Sequence, residues 1–219
     1  MPTELRIIAP DNSTHVAMTL IDRFEEINNY EFNLNILFDY TLNDLGEFDP
    51  IQPDTIWINP SLCKTINESK SEMLDPFCTG YVRDFTTTGV ILHEFCHYAT
   101  YNCLSAMRIA YMFRFPTNRL CLSEYANNCV EDELAEAMVI YITNPYLLKL
   151  LAPDRWTFFK KHFKSPTPTS TLQCYKSYMK FPVGVKEELK ERWGIAFSEI
   201  EMDFVRLKPT STSHRPVMV

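Results

Sequence analysis

A five-residue segment, His93-Glu94-Phe95-Cys96-His97, constrains this chain more than any other part of its sequence. It lies in an apolar stretch that predicts a helix from about Thr87 to Ala106, with a continuation beyond a bend. On a helix, two histidines four positions apart share one face, so both imidazoles can bind one zinc ion at about 2.0–2.1 Å. Glu94 projects about 100° further around the helix, where its carboxylate can act as a general base toward a water molecule. The segment therefore predicts metal-assisted hydrolysis, the alternative being two surface histidines beside a helix-stabilising glutamate.

A hydrolytic zinc site needs a third protein ligand and leaves a fourth position for water. The residues that follow His97, from Tyr98 to Cys103, contain no further histidine, so the ligand must come from elsewhere. A second predicted helix, Glu131 to Thr143, begins with a cluster of acids. On this helix Asp132 and Glu136 share one face, so Asp132 could bind the metal while Glu136 accepts a hydrogen bond from a liganding imidazole. The alternative is a solvated acidic first turn, which the helix macrodipole also favours.

These segments resemble a known family of enzymes. The runs L-H-E-F-C-H-Y, S-E-Y-A and D-E-L-A-E-A-M-V-I-Y-I-T-N-P, within about residues 81–145, are similar to the gluzincin type of zincin metallopeptidase. The likeness is greatest to the anthrax lethal factor-like branch and to the predicted zinc-binding peptidases of phages and bacteria. It implies zinc as the cofactor, His93, His97 and Asp132 as its ligands, and Glu94 as the catalytic base. It further implies that Tyr125, seven residues before Asp132, stabilises the oxyanion.

The position of the third ligand departs from this family's pattern. The family has glutamate there, and aspartate is one methylene shorter, so either the backbone lies closer to the metal or a neighbour takes the role. Glu133 is the main rival, and Glu131 and Glu136 are the others. The resemblance thus leaves the choice of ligand open within one helical turn.

The rest of the chain predicts an α+β, zincin-like fold. The pattern indicates strands at 5–8, 31–40 and 55–59, a helix from His15 to Ile27, and a loop at 41–54. By resemblance, residues 55–59 form the edge strand of a small mixed sheet over the His93–His97 helix, where an extended substrate would add as another strand. A mainly helical C-terminal part follows. We expect a weaker helix at 61–73, a connection at 75–84, a loop at 165–171, a short helix at 186–193, one domain over 1–207 and a flexible tail over 208–219.

Composition narrows the possible partners. The chain has 28 acidic and 21 basic residues among 219, for a formal charge of −7, which argues against nucleic-acid and anionic-membrane partners. No apolar run has the length of a signal peptide or a membrane span, so we expect a cytoplasmic or otherwise intracellular protein, and the likeness to phage proteins allows a viral origin. The seven cysteines contain no C-x-x-C motif, which predicts reduced and mostly buried thiols. Cys96 is expected to face the core, and His15 and His162 to have ordinary structural roles.

The sequence therefore predicts a zinc metallopeptidase that acts on a peptide or protein substrate. A second hypothesis is a non-catalytic, metal-stabilised structural or interaction protein, such as a viral assembly component. A third is a zinc amidase acting on a non-protein substrate. The first two differ in the ligand set, because a structural zinc site is closed by four protein ligands.

Overall fold

The structure, a computed structural model, describes residues 13–64, 85–116, 126, 129–143, 145, 148–149 and 152–166. Within these ranges the chain forms three short strands and five helices, which makes the fold α+β as expected. In chain order they are α1 (Ser13–Asn28), β1 (Asn35–Phe38), β2 (Gly46–Phe48), β3 (Thr55–Ile58), α2 (Thr87–Asn102), α3 (Ser105–Arg114), α4 (Val130–Thr143) and α5 (Pro153–His162).

The strands form one mixed sheet in the order β1-β3-β2. β1 pairs with β3 in parallel, with Ile36 opposite Ile56, and β2 pairs with the other side of β3 in antiparallel fashion. The strand predicted at 55–59 is confirmed, but its predicted position at the sheet edge is wrong, because β3 is central. The outer strands of the described sheet are β1 and β2, and β2 lies in the segment 41–54 that was expected to be a loop. Three residues, Gly-Glu-Phe, are too few to show an alternating pattern, so the sequence did not reveal this strand.

Helix α2 packs against α1, α4, β2 and β3 and so lies at the centre of the described fold. Its side chains Val90, Leu92 and Phe95 are almost completely buried. Phe95 meets Phe24 of α1 edge-on, with ring centroids 6.0 Å apart. A helix buried on nearly all sides is apolar all round, which is why its sequence has little amphipathic contrast.

The predicted helices α1 and α4 are confirmed, each with ends within two residues of those expected. Helix α2 ends at Asn102, earlier than the Ala106 predicted, and α3 continues the chain after a break at Cys103 and Leu104. The N–H groups of both residues bond to the carbonyl of Ala99, which closes the last turn of α2. The side chain of Thr86 caps the other end of α2 by accepting a hydrogen bond from the N–H of Gly89 at 3.2 Å.

Helix α5 was not predicted. Its ten residues are rich in charged side chains, and the ones that it buries include Arg155 as well as Phe158 and Phe159. A buried arginine breaks the apolar periodicity on which a sequence-based helix assignment depends. In the structure that arginine is paired with a carboxylate of α4, a contact between residues distant in the chain.

Several expectations fall on residues that the structure does not describe. The strand at 5–8, most of the helix at 61–73, the connection at 75–84, the helix at 186–193 and most of the loop at 165–171 lie outside the described residues, as does the tail at 208–219. The extent of a single domain over 1–207 also stays a prediction. None of the helices described here combines the length and the apolar character needed to cross a membrane.

Candidate metal centre

Helix α2 presents the two histidines of the sequence motif side by side. His93 and His97 lie one turn apart, and their Nε2 atoms are 3.0 Å from each other. The side chain of His93 is buried, with 4% of its surface exposed, whereas that of His97 retains 19%. The helical spacing of four residues therefore produces the paired imidazoles that the sequence predicted.

Helix α4 brings Asp132 to the same point. Its Oδ1 atom lies 3.3 Å from Nε2 of His97 and 3.7 Å from Nε2 of His93. Helices α2 and α4 pack directly against each other, so this carboxylate reaches the histidines although it is far from them in the chain. His93, His97 and Asp132 form the one group of potential metal ligands within the described residues.

The three atoms fit a tetrahedral zinc ion. Two ligand atoms that are each 2.0–2.1 Å from such an ion are about 3.3–3.4 Å apart. The observed separations of 3.0, 3.3 and 3.7 Å scatter around that value, and the circle through the three atoms has a radius of about 1.9 Å. A point 2.0–2.1 Å from all three atoms therefore exists just outside their plane, as a three-ligand tetrahedral site requires.

Glu136 contacts the ring nitrogen of His93 that faces away from His97 and Asp132. Its Oε1 atom lies 2.7 Å from Nδ1 of His93, and both side chains are about 95% buried. A hydrogen bond from Nδ1–H to this carboxylate places the proton on Nδ1 and leaves the lone pair of Nε2 directed toward Asp132 and His97. This is the supporting role that the shared face of Asp132 and Glu136 suggested.

Glu133, the main rival for the third ligand, points away from the histidines. It is 3% exposed, and its carboxylate accepts hydrogen bonds from the hydroxyl of Tyr111 on α3 and from Nε of Arg155 on α5. Since the next residue on a helix projects about 100° further round, Glu133 and Asp132 cannot both face α2. The structure thus places Asp132 rather than Glu133 beside the histidines, and Glu131 lines the neighbouring cavity.

Cys129 is a neighbour of the site that the sequence did not reveal. Its thiol lies 3.0 Å from Oδ2 of Asp132 and accepts the N–H of Asp132 at 3.3 Å. Burial and the hydrogen bond to Asp132 raise the pKa of Cys129 to about 11, so the thiol stays protonated and donates to the carboxylate. The contact holds Oδ2 away from the histidines and leaves Oδ1 to face them.

The four described cysteines, Cys129 included, correct the prediction of mostly buried thiols. Among these four, Cys96 is fully buried, Cys63 and Cys129 are half-buried, and Cys103 is exposed. Cys96 faces the core, as expected. Cysteine is a frequent core residue, and composition alone cannot tell a core position from a helix end such as that of Cys103.

The protonation of the cluster follows from its hydrogen bonds. Burial alone lowers the pKa of His93, but hydrogen bonds to Asp132 and Glu136 outweigh it and raise the pKa of His93 to about 9. Burial also opposes ionisation of Asp132, yet hydrogen bonds from the two imidazoles hold the pKa of Asp132 well below its usual range. The metal-free cluster therefore holds a proton at neutral pH, and a metal ion must displace that proton to bind.

An open cavity of about 390 Å³ lies beside the histidines. Glu94 lines it together with His93 and His97, and Gly46 and Phe48 of β2 also line it. A Cβ atom at Gly46 would lie 2.8 Å from Cγ and 2.9 Å from Oε1 of Glu94. Only glycine therefore lets the edge strand pass so close to this carboxylate, and Gly46 is a second site residue that the sequence did not reveal.

Tyr125, His15 and His162 are the remaining residues that the sequence analysis named. Tyr125 is outside the described residues, so its predicted role stays a prediction. His15 and His162 are exposed, and neither belongs to the ligand group described here.

Comparisons with known proteins add no further assignment. No family model matches the chain, and no curated protein or solved structure shows significant similarity to it. Function must therefore be argued from the site itself.

The chemistry of that site is well defined. Two neutral imidazole nitrogens and one carboxylate are the donor set that zinc takes in catalytic centres, with one coordination position left for water or substrate. A buried carboxylate, Glu94, stands beside them and faces the cavity. This arrangement can bind a divalent metal and move a proton at the same place.

Proposed function

We propose that this protein is a zinc-dependent peptidase with a zincin-like active site. The observation that carries the proposal is the triangle of His93 Nε2, His97 Nε2 and Asp132 Oδ1, with sides of 3.0, 3.3 and 3.7 Å. Its edges match those of a tetrahedral zinc site, and the cavity beside it contains Glu94. Metal-assisted hydrolysis follows from these residues, and the choice of a peptide substrate rests on the resemblance to gluzincins.

In this proposal each protein group has one task. His93, His97 and Asp132 hold the metal, and Glu136 keeps the proton of His93 on Nδ1. When bound, zinc would polarise the substrate carbonyl and lower the pKa of a coordinated water to about 7. Glu94 accepts a proton from the attacking water on its carboxylate and delivers it to the departing nitrogen.

Tyr125 is proposed to donate a hydrogen bond from its hydroxyl to the oxygen that becomes negative during the attack. This role rests on the resemblance, in which a tyrosine stands seven residues before the third ligand. Such a donor is effective because it is aimed at charge that develops only in the transition state.

The edge strand β2 is the natural platform for an extended substrate. Within the described sheet β2 pairs with β3 on one side, and Gly46, Glu47 and Phe48 line the cavity. A peptide that added to the unpaired side of β2 would run past Glu94 and gain main-chain hydrogen bonds irrespective of its sequence. The substrate-binding edge strand that the sequence analysis expected at residues 55–59 is therefore proposed to be β2, at residues 46–48.

The proposal is tested by comparing wild type with Glu94→Gln. Both are loaded with zinc, their bound metal is measured by mass spectrometry, and each is incubated with a proteome-derived peptide library. We expect equal zinc content and loss of cleavage in Glu94→Gln alone, because the amide cannot accept a proton. Glu26→Gln is the matched control, since Glu26 is 69% exposed and pairs with Arg23 on α1.

Each other outcome selects a different function. If wild type cleaves nothing and X-ray absorption shows four protein ligands, the metal-stabilised structural protein is the better description. Release of ammonia without backbone cleavage would indicate an amidase. Full activity in Glu94→Gln would contradict the assigned proton transfer.

A further inference from the structure

The cavity beside the metal ligands contains an arginine that no mechanism described above uses. Arg108 of α3 lines the same cavity as His93 and His97. Its guanidinium carbon lies 5.5 Å from the centre of the Tyr101 ring, within the range of a cation–π contact. The stack holds the guanidinium at the cavity wall.

Arg108 has no anionic partner among the described residues. Its Nε atom is buried and makes no hydrogen bond there, and no carboxylate of the described chain lies within ion-pair distance. Arg155, by contrast, is paired with both Glu133 and Asp154. Because Nε has no exposed surface, a ligand in the cavity can reach only the terminal amino groups of this guanidinium, and these donate no hydrogen bond to the described chain. Charged donors left open beside a cavity point to a ligand that completes them.

The spacing of residues on α2 indicates how far from the metal ligands Arg108 would meet an extended substrate. Tyr101, on which it stacks, follows His97 by four residues on α2, a rise of about 6 Å along the helix. Both residues line the cavity. An extended peptide advances about 3.3 Å per residue, so a substrate that ran along α2 would reach the level of Tyr101 roughly two residues from the metal ligands.

A guanidinium offers a planar fork of donors that matches the two oxygens of a carboxylate. Phosphate has the same complementarity, but Glu47, Glu94 and Glu131 also line this cavity and would repel a doubly charged group. A single negative charge suits such a mixed environment better. The ligand chemistry is therefore that of a carboxylate.

We propose that Arg108 is a specificity residue that binds a carboxylate of the substrate close to the scissile bond. The carboxylate belongs either to an acidic side chain or to the C-terminus of a peptide. This inference rests on the proposed function, since it names the substrate class of the same site.

The first test uses cleavage. Wild type, Arg108→Gln and Arg108→Lys are incubated with a proteome-derived peptide library, and the cleavage sites are read by mass spectrometry. We expect wild type to favour a carboxylate within three residues of the cut, and Arg108→Gln to lower kcat/KM on such peptides on the order of 10- to 100-fold. Arg108→Lys should retain part of the preference, because it keeps the charge but loses the fork.

Arg114→Gln is the matched control. Arg114 lies on the same helix, is exposed and also stacks on an aromatic ring, that of Phe115, but it does not line the cavity. Its preference and rate should equal those of wild type. Cleavage without any acidic preference, or a preference that survives in Arg108→Gln, would overturn the inference while leaving the peptidase proposal intact.

The second test needs no turnover. Zinc-loaded Glu94→Gln protein is titrated with acetyl-Ala-Glu-Ala-amide, acetyl-Ala-Gln-Ala-amide and acetyl-Ala-Ala-Ala with a free C-terminus, and the Nε–H signal of Arg108 is followed by nitrogen-15 NMR. A saturable shift with the glutamate peptide indicates a side-chain carboxylate, and one with the third peptide a C-terminal carboxylate. No shift with either, or an equal shift with the glutamine peptide, refutes the inference. Binding of a carboxylate by a protein that cleaves nothing would instead overturn the peptidase proposal alone.

Discussion

Two adjacent acids of α4, Asp132 and Glu133, are expected to give opposite results when each is changed to alanine. Glu133→Ala removes the buried carboxylate that faces the guanidinium of Arg155, which is itself 7% exposed, and the half-exposed Asp154 can replace that carboxylate only in part. Removing one member of a buried ion pair costs about 3–5 kcal/mol. For a chain of this size that corresponds to a fall in Tm of roughly 6–20 °C. Zinc affinity should change little, because Glu133 faces away from the histidines.

Asp132→Ala should have the reverse effect. It deletes one of the three proposed ligand atoms. Loss of a residue that merely supports a ligand already costs about 10- to 100-fold in metal affinity, so the loss here should exceed about 100-fold. The metal-free protein should be less affected than by Glu133→Ala, since the side chain of Asp132 is 17% exposed and water can replace part of what is lost.

The two variants are compared by urea unfolding in the presence of a chelator and by zinc titration against a chromophoric competitor. Glu26→Ala is the exposed control and should change neither quantity. A double variant, Glu133→Ala with Arg155→Met, should recover much of the stability, because a buried ion pair can be replaced by apolar side chains at little cost. If Glu133→Ala loses zinc and Asp132→Ala keeps it, the rotation of α4 inferred here is wrong.

Three further outcomes are expected. Gly46→Ala should lower kcat by at least about tenfold at unchanged zinc content, because the new Cβ would lie 2.8 Å from Cγ of Glu94 and displace its carboxylate. An unchanged kcat in a steady-state assay would contradict this close approach. Glu136→Gln should weaken zinc binding by about 10- to 100-fold in the same competition titration, and equal affinity would show that its contact with His93 does not orient the ring. The free energy of unfolding of the metal-free protein should fall as pH rises from about 6.5, the usual pKa of histidine, through about 9, that of His93 in the folded state. The folded state holds this proton more tightly than the unfolded chain, so the stabilisation is complete below the lower value and is lost above the higher one. Urea unfolding in chelator at several pH values measures this slope, and an equal slope in His93→Asn would assign it to another group.

Local pattern predicted much of the fold. Helices α1 and α4 and strand β3 follow from apolar spacing, and helix α2 follows from its long apolar stretch, because these features depend on neighbours in the chain. Strand β2 and helix α5 escaped prediction for a common reason. Each is stabilised by partners distant in sequence: β2 by pairing with β3, and α5 by the ion pair of Arg155 with Glu133.

The sequence by itself determined which atoms could bind a metal. The spacing of His93 and His97 on one helix dictates a shared face, and the acids at the start of α4 narrow the third ligand to one turn. The sequence pattern could not show which acid of that turn faces the histidines. The side chains of Glu131, Asp132, Glu133 and Glu136 differ in direction by multiples of about 100° around the helix axis, and the pattern does not give the rotation of the helix.

Only the tertiary structure decided which of these acids faces the histidines, because the rotation of α4 about its axis is set by packing. The contacts of Glu133 with Tyr111 and Arg155 bury it on the side away from α2, and this leaves Asp132 to face the histidines. Packing likewise places Gly46 against Glu94 and Arg108 at the cavity wall. The ligand types can be read along the chain, but their direction is a property of the packed core.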